Sequence, residues 1–227
     1  MKGTTLARTL LGFAVLALVG VTALGLGSKN GFTTINGGSM TVAMSGPSHF
    51  YTPAKHDPGL STIYSNLGTG GTVYNCCTGW TISSKGSVIG AQFWVANGFT
   101  PAADATATQL QVGVGWVTGT NETTIGIYPD NGGVPGTPAL KQWYSKNLPT
   151  FGTCCTLATG NDSAGIPLKA GTQYWVVVHT CKDSSDTWSA WNLDENGATG
   201  PFANNTGSGG WKNLGTGQQG AFGVFGK

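Results

Sequence analysis

The chain has 227 residues, of which 38 are glycine, 10% are aromatic and only 9% are charged, with a formal charge of +2. Few charges and many aromatics exclude an intrinsically disordered chain, which needs low hydrophobicity and high net charge. Lysine plus arginine (11) nearly balance aspartate plus glutamate (9), so the clustered basic surface that grips phosphate backbones is lacking and nucleic acid is excluded as a partner.

The N-terminal stretch MKGTTLARTLLGFAVLALVGVTALGLG places Lys2 and Arg8 ahead of an apolar run, Leu10 to Val21, with small residues following at Ala23 and Gly25. This is the pattern of a secretory signal peptide, expected over residues 1–25 with cleavage after Ala23 or Gly25. The alternative is an uncleaved anchor, because Leu10 to Leu26 carries no charge and approaches the roughly 17–25 residues of a membrane helix. No basic stop-transfer cluster follows, which favours cleavage. Removal of Lys2 and Arg8 leaves a mature chain of formal charge zero, in which no later segment is apolar enough to span a membrane.

Residues 26–59 have no sustained periodicity and many chain breakers, and the expectation is an irregular N-terminal arm. From Leu60 onward short β-type runs recur between clusters of Gly, Asn, Asp and Pro: LSTIYSNLG, GTVYN, VIGAQFWVANGF, ATQLQVGVGWV, TTIGIYP, ALKQWYS, QYWVVVH, DTWSAWNL and GAFGVFG. No helical stripe with caps accompanies them. Residues 60–227 are therefore expected to form one all-β domain, an antiparallel β-sandwich of jelly-roll type. In TQLQVGVGWV the residues Leu110, Val112, Val114 and Trp116 share one face, as in a strand that covers a core on one side. Gln173 to His179 is apolar on both faces and fits a central strand buried between layers. Ile125 to Pro129 alternates as a strand, and Asp130 to Gly136 supplies turn residues. A calcium loop at that turn would need more oxygen ligands than Asp130 and Asn131 provide.

Five cysteines, Cys76, Cys77, Cys154, Cys155 and Cys181, all lie in the mature part. Export makes disulfides the expected state, with one thiol left over and the connectivity open. The two doublets suggest cross-links between distant segments, because adjacent strand residues point to opposite faces. A zinc site fits less well: no histidine flanks either doublet and CC is not the usual ligand spacing.

The stretches STIYSNLG, AQFWVANGFTP, LQVGVGWV, IGIYPDNGGVPG and GIPLKAGTQYWVVV follow in that order between Leu60 and Leu193. In this the chain resembles the secreted bacterial choice-of-anchor β-sandwich modules, particularly type R. The resemblance implies an exported jelly-roll-like module, alone or attached to a surface anchor, with no assigned catalytic residues. Cysteine doublets are not part of that pattern.

Catalytic chemistry finds little to build on. The three histidines are His49, His56 and His179, and there is no GxSxG elbow. His179 stands two residues before Cys181, which raises a Cys and His pair; a strand-end imidazole beside a bridged cysteine is the simpler reading. Asp183, Asp186, Asp194 and Glu195 are candidate acids for glycoside hydrolysis. Asp183, Asp186 and Asp194 are also weak candidates for a structural calcium, and solvated turn acids are the plainest account. Tryptophan is the residue most out of line, at eight copies. Trp94, Trp116 and Trp175 lie in apolar runs and read as core, whereas Trp188, Trp191 and Trp211 lie among Ser, Asn, Asp and Gly. Flat aromatic faces stack on sugar rings while amides such as Asn192 bind hydroxyls, so Trp188, Trp191, Trp211 and Asn192 are the candidate glycan platform. Trp188 and Trp191 have opposite strand parity, so at most one faces outward without a bulge. The sequence as a whole points to a secreted, non-enzymatic structural or adhesion module whose partners are extracellular glycans or matrix and cell-surface components. A carbohydrate-binding module is the first alternative and a cell-wall hydrolase the second; oligomeric state stays open.

Overall fold

A computed structural model describes residues 30–35, 39–44, 49–50, 58–69 and 72–227. The expected signal peptide, residues 1–25, lies outside the described residues. Within them the chain forms strands and no helix.

In chain order the strands are β1 (Asn30–Ile35), β2 (Ser39–Met44), β3 (His49–Phe50), β4 (Ser61–Ser65), β5 (Thr78–Ser83), β6 (Trp94–Phe99), β7 (Ala105–Val112), β8 (Val114–Thr118) and β9 (Glu122–Pro129). They continue as β10 (Lys141–Lys146), β11 (Thr153–Cys154), β12 (Ala158–Leu168), β13 (Tyr174–His179), β14 (Trp188–Asn192), β15 (Thr199–Asn205), β16 (Trp211–Gln218) and β17 (Phe222–Gly226). Three antiparallel sheets result, in the orders β10-β9-β13-β6-β15-β16, β1-β2-β5-β14-β8 and β12-β7-β17-β4, while β3 and β11 form a short parallel pair.

The arrangement is sandwich-like. One core collects Val95, Phe99, Ile125, Ile127, Val176, Val178 and Phe202 from the six-stranded sheet and Trp80, Leu110, Val112, Val114, Trp191 and Phe222 from the other two. Burial of this apolar surface is the main driving force for such a fold. In TQLQVGVGWV the residues Leu110, Val112 and Val114 are fully buried in the main core as expected, but the run is covered on both faces and not on one, since Gln109 and Gln111 are buried as well. The run changes partners at Gly113, between β7 on β12 and β17 and β8 on β14. A side chain at Gly113 would come within 2.8 Å of the Tyr74 ring, so the residue at this switch must be small.

The β13 strand lies between β6 and β9. Tyr174, Val176 and Val178 enter the main core, while Trp175 and Val177 join Ala96, Tyr128 and Ala203 on the opposite face of the sheet. That outer face is partly covered by the turn after β9. Val134 and Ala139 pack on it, and Asp130 accepts hydrogen bonds from Trp175 Nε1 (2.7 Å), Gln173 Nε2 (2.9 Å) and the Gly133 amide (3.1 Å). The stretch IGIYPDNGGVPG is thus a strand and a turn that folds back as a cover, and its one carboxylate anchors the cover.

Several strands were not legible from local pattern. The arm expected to be irregular contains β1, β2 and β3, a correction to that expectation. Strand β2 joins β5 in the five-stranded sheet, Val42 is fully buried and Ser39 accepts a 2.9 Å bond from Asn204 Nδ2. Conversely the run GTVYN forms no strand over its described residues, Thr72 to Asn75: Val73 and Tyr74 are buried in a loop that packs on Cys154, Cys155 and Leu157. The polar edge strands β12 and β16, and β15 with its Pro201 beside a register shift, have no apolar alternation to reveal them.

Candidate binding pocket

The start of β6 and the end of β13 run side by side, which places Trp94 and His179 together on the outer face of the six-stranded sheet. Their ring centroids are 5.0 Å apart. Trp94 Nε1 donates to Thr180 Oγ1 at 3.1 Å. Beyond these rings opens a pocket of about 340 Å³ whose walls include Lys85, Gln92, Trp94, His179, Thr180 and Lys182, and no carboxylate. Trp94 is only half-buried, so part of its indole is free to meet a ligand. Gln92 is oriented by its Nε2 bond to Asn205 Oδ1 at 3.1 Å.

His179 is held neutral. Burial lowers the pKa of its imidazole, against a smaller opposing effect of its bond to the Thr180 carbonyl. Nδ1 lies 2.8 Å from that carbonyl, which can only accept, so Nδ1 carries the proton. Nε2 is then the acceptor, with Gln142 Nε2 at 3.1 Å and the Tyr128 hydroxyl at 3.3 Å. The Gln142 amide also donates to that hydroxyl, closing the network. Both ring nitrogens are committed, and the Cys181 thiol is buried and paired with Thr124 Oγ1 at 3.4 Å. Burial raises the Cys181 pKa, which keeps it a thiol instead of the nucleophilic thiolate. The pair HTC therefore has none of the geometry of a Cys and His dyad, and Cys181 is free where the sequence suggested a bridged residue.

The other cysteines also differ from expectation. Cys76 with Cys77, and Cys154 with Cys155, each lie at disulfide distance within their own doublet. Strand alternation does not apply, because Cys76 and Cys77 sit in a turn whose amides at Cys77 and Thr78 bond to Asn75 Oδ1. The two segments do meet, through packing and a 3.1 Å bond from the Gly152 amide to the Cys76 carbonyl.

The expected tryptophan platform is not formed by the residues chosen for it. Trp191 is fully buried and Trp188 is 5% exposed. Their opposite parity holds: Trp191 enters the main core, and Trp188 packs with Val42, Phe151 and Ala190 on the other side of its sheet. That second side is covered by the segment at Phe151, which a side chain at Gly115 would meet at 3.0 Å. Asn192 is also buried and donates to the Asn75 carbonyl at 2.8 Å. Trp211 alone of the four stays partly exposed, packed against the outer-face cluster of the six-stranded sheet. The residue that sequence reasoning missed is Trp94. Its signal was present: in QFWVANGF it follows Gln92 at a strand start, where one face of the first residues is less covered than the strand centre.

The candidate acids do not converge. Asp186 accepts from the Thr120 amide (3.1 Å) and hydroxyl (2.6 Å), bonds that hold its carboxyl below the usual range. Asp194 is buried and its Oδ2 accepts the amides of Asn196 and Ala198 at 2.9 and 2.8 Å, a turn anchor. Asp183 and Glu195 are exposed. Among the described residues no group of three or more His, Cys, Asp or Glu is placed to hold a metal ion, so Asp183, Asp186 and Asp194 do not form the calcium site considered for them. No helix among the described residues is long and apolar enough to cross a membrane. No family model, curated protein or solved structure matches the chain.

Proposed function

We propose that the chain is an exported, non-enzymatic adhesion module of the choice-of-anchor, jelly-roll kind, and that it attaches to extracellular glycan through the Trp94 pocket. The observation that carries this reading is the half-buried indole of Trp94, fixed by Thr180 and backed by the neutral His179 ring, at a pocket lined with amide and hydroxyl groups. An apolar ring face beside fixed polar groups is what a sugar requires, since its CH face stacks while its hydroxyls need hydrogen-bond partners. Walls without a carboxylate favour binding over glycoside hydrolysis, which needs two. The N-terminal charge and apolar pattern supports export, and the neutral mature chain suits a partner that is not a polyphosphate.

The test is retention on a panel of insoluble polysaccharides and cell walls, compared between wild type and Trp94→Ala. Saturable retention that the variant loses, with its fold intact by circular dichroism, supports the reading. Retention unchanged in Trp94→Ala removes the pocket from it.

A further inference from the structure

Resting on that reading of the pocket, we propose that its ligand is an acidic sugar, a uronic-acid-containing oligosaccharide whose carboxylate is met by Lys85 and Lys182. Charge is scarce in this protein: Lys141, Lys146 and Lys169 form ion pairs with Asp162, Glu122 and Asp104, whereas Lys85, Lys182, Lys212 and Lys227 are in no ion pair among the described residues. Of these four, Lys85 and Lys182 are exposed and line the pocket that presents Trp94. Two lysines in a lining that holds no carboxylate give the pocket a net positive charge, which favours a bound anion. The nearby Glu122 does not offset them, since its carboxylate is taken up by Lys146 and by the hydroxyl of Ser184. Asp183, next to Lys182 in the chain, is exposed and lies outside the pocket walls. His179, being neutral, adds no charge of its own.

The remaining groups suit a sugar ring instead of a bare anion. Trp94 offers a stacking face, and Thr180, which accepts from Trp94 Nε1, keeps its own O–H to donate. Gln92, whose Nε2 is committed to Asn205, presents its carbonyl oxygen to a hydroxyl. A volume of about 340 Å³ is near the lower end for ligand pockets, roughly 300–1,000 Å³, which suits a short saccharide segment. The charge balance that excludes nucleic acid does not oppose this, because one carboxylate needs two local lysines and no basic surface.

The experiment titrates the full chain with trisaccharides of galacturonic, glucuronic and mannuronic acid, and with the carboxyl-reduced neutral form of each, followed by tryptophan fluorescence and calorimetry. At least one uronate is expected to bind about tenfold or more tighter than its reduced form, with the preference weakening as salt rises. Lys85→Gln with Lys182→Gln should abolish the preference for the acid over the reduced form, and Trp94→Ala should weaken both forms. Equal binding of acid and reduced forms overturns this inference and leaves the sugar site standing. Acid binding that Trp94→Ala does not weaken overturns the sugar site itself, since the lysines would then be acting as an ion exchanger. Binding by neither form overturns the acidic-sugar inference, and the polysaccharide panel above then decides the sugar site separately.

Discussion

Replacing Trp191 by alanine separates a core tryptophan from a surface one. The ring is fully buried, lies 6.0 Å from the Phe222 ring between centroids, and donates from Nε1 to the Ala221 carbonyl at 3.0 Å. Truncating a buried tryptophan costs about 3–5 kcal/mol through lost transfer energy and the cavity left behind. The Ala221 carbonyl keeps a second donor, the Gly113 amide at 2.9 Å, so losing the indole bond adds only about 0.5–1.5 kcal/mol. A total of about 4–6 kcal/mol is a large share of the roughly 5–15 kcal/mol that holds a domain folded. At about 2–4 °C per kcal/mol for a domain of this size, Tm should fall by roughly 10–20 °C. The assay is thermal unfolding of the oxidised protein followed by circular dichroism, with urea unfolding to give the free energy. A loss below about 1 kcal/mol together with loss of glycan retention would refute the reasoning, because it would mean that the ring faces solvent. Gly220→Ala gives an independent check: its methyl would sit 2.4 Å from the Trp191 ring, so it too should destabilise strongly.

Burial keeps His179 neutral, so its folded pKa lies below its ordinary value. The stability this contributes is complete above about pH 6.5, the unperturbed histidine value, and is lost as the pH falls through the folded pKa. Stability measured from pH 8 to pH 4 should therefore show an acid-side decline that His179→Gln reduces, and Trp94 fluorescence should follow the same titration because the ring centroids are 5.0 Å apart. Gln219 is 1% exposed and ties the half-buried Tyr64 hydroxyl (2.5 Å) to the Gly98 carbonyl (2.8 Å); Gln219→Ala should cost about 2–4 kcal/mol in urea unfolding by leaving a cavity and taking a partner from each of these groups. Asp130→Ala should loosen the cover over Trp175, read as faster amide exchange at Gly133 and a red-shifted emission, at a cost of about 1–3 kcal/mol. Addition of a chelator should leave Tm unchanged, since among the described residues no group of three or more His, Cys, Asp or Glu is placed to hold a metal ion.

The sequence by itself determined the all-β class, the paired strand faces at Leu110, Val112 and Val114, and the doubly covered β13, because alternation and apolar runs are local consequences of a two-residue repeat. It also determined the turn at Asp130 to Gly136, where glycines with positive φ at 132 and 133 meet a proline. It could not show β2, β12, β15 and β16, whose pairing depends on partners far along the chain and not on their own pattern. Nor could it rank the tryptophans. Polar neighbours in sequence suggested that Trp188 and Trp191 were exposed, yet Phe151 and Phe222, remote in the chain, cover them. An apolar run suggested that Trp94 was core, yet it begins its strand at a pocket mouth. Which residues cover a ring is decided by the meeting of distant segments, and only the tertiary structure brings Lys85, Trp94, His179 and Lys182 to one place.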